Sequence, residues 1–189
     1  MEQFIINHLT VTAISDTHGS HRKLNVPQSD VLIHAGDACI GGDEEQLNDF
    51  FKWFADLPAR YKIFVAGNHD LPFELDPTEA IRLLPIGVVF LEDSAVSIEG
   101  VKFYGAVARP WMYSLSMPPA DVDVLISHGP AMGTTLVGKD GCVLLKEIVE
   151  LVKPKIHVFG HMHEYGGLVH TLGETTSICC SSIHMLAAD

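Results

Sequence analysis

Positive charge is scarce in this chain. Over 189 residues, 12 Lys and Arg stand against 24 Asp and Glu, a formal charge of −12 at pH 7 with histidine neutral. Polymeric nucleic acid is held through basic surface that displaces counterions, so DNA and RNA are not expected partners. Long apolar runs are missing as well. No stretch nears the roughly 18 residues of a membrane-crossing helix, and no membrane partner is expected. Met1-Glu2-Gln3-Phe4 shows neither the basic opening nor the apolar core of a secretory signal. Cysteine is confined to Cys39, Cys142, Cys179 and Cys180, with no Cys-x-x-Cys spacing. That argues against a disulfide framework or a cysteine zinc site, and makes a reducing cytoplasm the expected compartment. A nucleophilic serine or cysteine motif is also lacking. With no linker, repeat or low-complexity tract, a single α/β domain over residues 1–189 is expected.

What the chain does hold is apolar runs ending in polar residues, and 11 histidines, several of them at those ends. Thr10-Val11-Thr12-Ala13-Ile14, Val31-Leu32-Ile33-His34-Ala35 and Tyr61-Lys62-Ile63-Phe64-Val65 read as buried strands, and so do Asp123-Val124-Leu125-Ile126 and Ile156-His157-Val158-Phe159. A helix opens at Asp43-Glu44-Glu45, with acids suited to its positive end, and carries Leu47, Phe50, Phe51, Phe54 and Leu57 on one face before Pro58 stops it. A second is expected over residues 142–152, with Val143, Leu144, Ile148, Leu151 and Val152 inward and Pro154 at its end. A short helical stretch falls near residues 78–84. Strands follow at 88–91, 95–98 and 101–104, with Gly100 in a tight turn, and two more close the chain at 167–171 and 176–180. Residues 105–119 read as a loop, in which Arg109 is a candidate substrate contact.

Five strand-to-loop junctions carry side chains of ligand type: Asp16 and His18, Asp37, Asn68 and His69, His128, and His161 with His163. In extended chain, residues i and i+2 face the same way, so Asp16 pairs with His18 and His161 with His163. Any one junction is equally well a polar turn. Five together are not, because ligands of an open α/β sheet gather at the carboxyl ends of its strands. His34, inside an apolar run, reads as a core residue. Asp, His and Asn without cysteine suit Mn, Fe, Zn or Ni better than the all-oxygen shell of calcium. Seven candidates, Asp16, His18, Asp37, Asn68, His128, His161 and His163, exceed what one zinc needs and suit two ions sharing a carboxylate.

The ordered blocks Asp-x-His, Gly-Asp, Gly-Asn-His-Asp, Ser-His-Gly-Pro and Gly-His-x-His resemble the calcineurin-like metallophosphoesterase superfamily. More narrowly, residues 15–18, 34–37, 57–69, 91–94 and 157–165 are similar to its MPPED-type phosphodiesterase branch. The resemblance implies a two-sheet β-sandwich flanked by helices, a four-layer αββα arrangement. It implies two divalent ions, manganese first and iron, zinc or nickel as alternatives. One would take Asp16, His18, Asp37 and His163; the other Asp37, Asn68, His128 and His161, with Asp37 bridging. A hydroxide shared by the ions would attack phosphorus in line while His69 assists the leaving oxygen, and Asp70 would support the turn or orient a neighbour. The expected substrate is a small phosphodiester such as a cyclic or modified nucleotide. A small-molecule phosphomonoesterase or nucleotidase, and a non-catalytic scaffold on the same fold, are the alternatives. Two departures stand out. Asp70 replaces the branch's usual Glu, and Gly36-Asp37-Ala38-Cys39 lacks the Asp-Arg continuation typical of protein Ser/Thr phosphatases.

Overall fold

The computed structural model describes residues 1–107, 114–135 and 139–186. Its strands form two sheets that divide the sequence in two. The first is built in order from β1 (Glu2–Ile6), β2 (Leu9–Ile14), β3 (Ser29–Ala35), β4 (Ala59–Val65) and β5 (Val88–Phe90). β1 pairs antiparallel with β2, and the rest run parallel. The second comprises β6 (Ser94–Ile98), β7 (Val101–Ala106), β8 (Val124–Ser127), β9 (Ile156–Phe159), β10 (Val169–Leu172) and β11 (Thr175–Cys179), in the spatial order β10-β11-β9-β8-β7-β6. Its interior strands β11, β9, β8 and β7 are parallel, while β10 and β6 are antiparallel edges.

Strand alternation explains the layering. Val31, Ile33 and Ala35 turn one way and meet Val11, Ile63, Phe103, Val124 and Val158 in a core between the sheets. Leu32 and Phe64 turn the other way, onto α1 (Glu44–Asp56), where Leu47, Phe50, Phe51 and Phe54 are buried. Each such phenylalanine contributes about 1.5–3 kcal/mol by leaving water. Two short helices, α2 (Pro72–Leu75) and α3 (Pro77–Arg82), cover the rim of the first sheet. On the far side of the molecule, Tyr104 and Leu125 pack against Leu145, Ile148 and Val149 of α4 (Val143–Val152). The result is helix, sheet, sheet, helix. Among the described residues no helix is long and apolar enough to cross a membrane.

Local chemistry sets the boundaries. The Asp43 side chain accepts the Gln46 N–H at 3.1 Å and caps α1. The β6–β7 hairpin turns through Glu99 and Gly100, both at positive φ (46° and 82°), as a two-residue turn between paired Ile98 and Val101 requires.

Two features depart from the sequence expectations. β1 lies where no strand is expected; it is an edge strand whose exposed Ile5 and packed Phe4 and Ile6 bury only one side. The buried face of α4 is also rotated from the expected one. Val143 and Leu151, expected inward, are exposed, while Leu145, Ile148 and Val149 form the buried stripe. Apolar residues occur nearly all round this helix, so only Lys146, Glu147 and Glu150 mark its solvent side.

Candidate metal centre

The carboxyl ends of β2, β3 and β4 in one sheet and of β8 and β9 in the other open toward the same place, and all the expected site residues except Arg109 lie there. Arg109 falls outside the described residues. Asp16, His18 and His163 form one group whose ligand atoms lie within 4.8 Å of one another; Asp37, His128 and His161 form a second. Each group draws on both sheets. His18 Nε2 is 3.3 Å from His163 Nε2, and His163 Nε2 is 3.4 Å from Asp16 Oδ1. Asp37 Oδ2 faces both groups, at 3.8 Å from His18 Nε2 and 3.2 Å from His128 Nε2.

Several groups are oriented by the backbone. His128 Nδ1 donates to the Ala35 carbonyl at 2.8 Å, which turns Nε2 toward Asp37. His18 Nδ1 does the same with the Cys39 carbonyl at 3.3 Å. Although 3.2 Å from Asp37 Oδ2, His128 Nε2 lacks the alignment of a hydrogen bond, and it is buried without a hydrogen-bond partner. Asn68 Oδ1 is buried and unpartnered in the same way. Buried polar atoms without a partner are costly, and a divalent cation is the partner that a carboxylate, a deprotonated imidazole nitrogen and an amide oxygen share. The donor set therefore fits two ions.

The ligand loops hold unusual backbone. Asp16, His18, Asp37 and His161 all have positive φ (56°, 42°, 59° and 64°), a conformation costing about 1–2 kcal/mol each for residues with a side chain. They are held there by neighbours. Asp16 N–H donates to the Gly36 carbonyl at 2.9 Å and His18 N–H to that of Asp37 at 3.1 Å. The Asp16 carboxylate accepts His161 N–H at 3.1 Å and Ser15 Oγ–H at 2.5 Å. Close approach accounts for Gly67, where a Cβ would fall 2.2 Å from Asp37 Oδ1.

Asp70 both supports its own turn and orients the neighbouring loop. Fully buried, it accepts N–H groups from Asp37 (2.8 Å), Ala38 (2.9 Å), Cys39 (3.2 Å) and Gly67 (2.9 Å), stapling the two loops that carry Asp37 and Asn68. Burial and the neighbouring Asp37 charge push its pKa up, against the pull of the N–H donors. Burial would also raise Asp16 and Asp37, but histidine partners and hydrogen bonds outweigh it and hold both carboxyls low. For His128, burial favours the neutral ring, but Asp37 and Asp16 overcome that cost and raise the pKa to about 9.

His69 stands outside both groups. Its N–H donates to Asp37 Oδ1 at 2.8 Å, and its ring sits edge-on to His18 with centroids 5.0 Å apart. His34 is buried among Phe50, Phe54 and Phe64, as a core histidine should be. Sequence reasoning missed the hydroxyls beside the ligands, Ser15, Thr17 and Ser127. Their signal was adjacency alone.

Comparison with known proteins agrees with this geometry. Residues 9–165 match the family profile described as calcineurin-like phosphoesterase. A human protein, metallophosphoesterase domain-containing protein 1, is 33% identical over 210 aligned positions, covering 89% of this chain and 64% of that protein. The chain thus spans less than two thirds of that relative. A Caenorhabditis elegans protein, UPF0046 protein K07C11.7, is 34% identical, with 90% of this chain and 69% of its own length covered. Among solved structures, TT1561 of Thermus thermophilus superposes with a TM-score of 0.68 at 14% identity, over 89% of this chain and 87% of that one, a likeness of fold.

Proposed function

This chain belongs to the calcineurin-like phosphoesterase family, and from that membership we propose that it is a two-metal phosphodiesterase acting on small cyclic or modified nucleotides. The observation that carries the proposal is the single carboxylate oxygen, Asp37 Oδ2, set between His18 and His128. One ion would be held by Asp16, His18, Asp37 and His163, the other by Asp37, Asn68, His128 and His161. Manganese is the first expectation for both, with iron, zinc or nickel as alternatives. Ions bound there supply Lewis acidity at the phosphoryl oxygens and lower the pKa of water.

The chain's own residues have separable tasks. Asp37 and Asp16, kept ionised, supply the negative charge that binds cations. Asn68 adds a neutral oxygen that brings no further charge. His69, tied to Asp37 only through its backbone N–H, leaves its ring free to hand a proton to the departing oxygen. Among the described residues, the placement of cations supports a diester over a monoester. Arg60, Lys102 and Lys155 pair with acids at the amino ends of β4, β7 and β9, away from the ligands. A diester carries one charge, which the ions can balance, whereas a monoester dianion gains from extra cationic side chains. Arg109 remains a candidate for contact with the rest of the substrate. The net charge of −12 supports small substrates over polymers, and the paucity of cysteine supports a cytoplasmic setting. The proposed catalytic unit is one domain.

The test is metal-stripped protein supplied separately with Mn, Zn, Ni or Mg, assayed on bis-(p-nitrophenyl) phosphate and on the monoester. Diester turnover dependent on added metal is expected. A strong monoester preference would point instead to a small-molecule phosphatase. Two bound ions with no turnover on any ester would point to a binding protein on this fold.

A further inference from the structure

Each sheet contains one buried histidine that belongs to neither ligand group. His34 in β3 and His157 in β9 are both 0% exposed, and both stack on a phenylalanine: His34 on Phe64 (5.7 Å, 24°) and His157 on Phe159 (5.4 Å, 29°). Both lie between residues that face the core between the sheets, Ile33 and Ala35 for one and Ile156 and Val158 for the other. Their rings therefore point away from that core, His34 toward the α1 layer and His157 to the α4 side of its sheet.

Their hydrogen bonds run in determined directions. Gly36 N–H donates to His34 Nδ1 at 3.3 Å, so the ring proton is on Nε2, which donates to Thr17 Oγ1 at 3.3 Å. The Thr17 hydroxyl in turn donates to the Ala38 carbonyl at 3.4 Å. In the other sheet, the Ser127 hydroxyl donates to the Gly129 carbonyl at 2.7 Å, so its oxygen must accept from His157 Nε2 at 2.8 Å. That leaves His157 Nδ1 to accept Ser177 Oγ–H at 3.4 Å from the neighbouring strand, where the two residues are register partners. Burial pushes both rings down to about 3, which keeps them neutral and the directions fixed.

The two chains of hydrogen bonds end in equivalent places. Gly36 N–H and the Ala38 carbonyl flank Asp37, and Thr17 sits between Asp16 and His18. Ser127 and Gly129 flank His128. We infer that His34 and His157 are a matched pair of positioning residues, each bracketing a metal ligand from beneath, so that His34 sets Asp37 and His157 sets His128. A histidine present only for packing would be replaceable by phenylalanine in these aromatic surroundings. One that positions ligands would not.

The inference rests on the two-metal reading, and the test separates the two. Stripped full-length protein is titrated with Mn(II) and followed by calorimetry and by electron paramagnetic resonance, which distinguishes a lone ion from a coupled pair. If the unaltered chain takes up none of manganese, iron, zinc or nickel, the two-metal reading itself falls. Given two ions, His157→Phe should weaken the second by ~10–100-fold and leave the first unchanged, the range seen when groups that orient metal ligands are removed. His34→Phe should weaken both, since Asp37 is shared. His157→Gln, which can keep a donor near Nε2, should restore part of the loss. Adding Ser127→Ala to His157→Phe should cost nothing further, because both changes cut one chain of hydrogen bonds. Phenylalanine variants that load both ions normally would overturn the inference. So would equal losses for Phe and Gln, or an additive loss from Ser127→Ala. Should His157→Phe not fold, Ser127→Ala alone must weaken the second ion, and normal loading there counts against the idea.

Discussion

Asp70 shows how much can hang on one side chain. Four backbone N–H groups from two loops end on its carboxylate, and alanine would leave all of them buried and unmet. Asp70→Ala should lower stability by about 3 kcal/mol or more, read from the urea midpoint of metal-free protein. His69→Ala should behave in the opposite way. It should bind both ions at normal affinity while turnover falls by roughly 10²–10⁴; loss of either ion in that variant would remove the role assigned to it. His128 carries a further consequence. Metal-free, its ring is protonated below about 9, yet metal binding needs the Nε2 lone pair. Manganese uptake at pH 7 should therefore release protons and tighten as pH rises toward 9. Calorimetry in buffers of different ionisation enthalpy measures that release. The gathering of candidate side chains at strand ends was legible in the sequence because chemistry-bearing residues recur at one structural position. Three of Asp70's four donors were not, since they are backbone groups brought in from 31–33 residues away.

At the scale of elements, the two buried histidines shape the acid response of the fold. Each has a folded pKa of about 3 against an ordinary 6.5. Above pH 6.5 both folded and unfolded chains are neutral there, and the stability is fully present. As pH falls toward 3, the unfolded chain takes up protons that the folded one refuses, and each histidine costs about 1.4 kcal/mol per pH unit. Urea midpoints between pH 7 and 4 should fall steeply, and less steeply for His157→Phe. Helix α1 was readable in its opening acids, its buried face and its stop, because polar and apolar residues segregate cleanly, though Leu57 lies just past its end. Asp43→Ala should cost it about 1 kcal/mol. The inward face of α4 was not readable, since nearly every side of it is apolar and the sheet, more than the helix, selects which leucine is buried.

For the whole molecule, the α/β class was legible from strand and helix periods, but the division into two sheets was not. Buried parallel strands look alike whichever sheet they join, and the two-sheet arrangement came only from resemblance. The sheets coincide with the two halves of the chain, and each candidate ion would take ligands from both. Bound ions would thus hold the halves together. Adding a chelator should lower the melting temperature, by an amount matching ~2.7 kcal/mol for each ion present at 100 times its dissociation constant.

The same interleaving fixes an order of events in time. Asp16 and His18 are made early, but the partner that completes their group, His163, follows 145 residues after His18. At ribosomal rates of ~5–20 residues per second, the first acids wait several seconds for the last histidines. Neither candidate cation group exists in full until His161 and His163 have been synthesised. Metal capture at these groups would therefore wait on the second sheet, and would not nucleate the folding of the first.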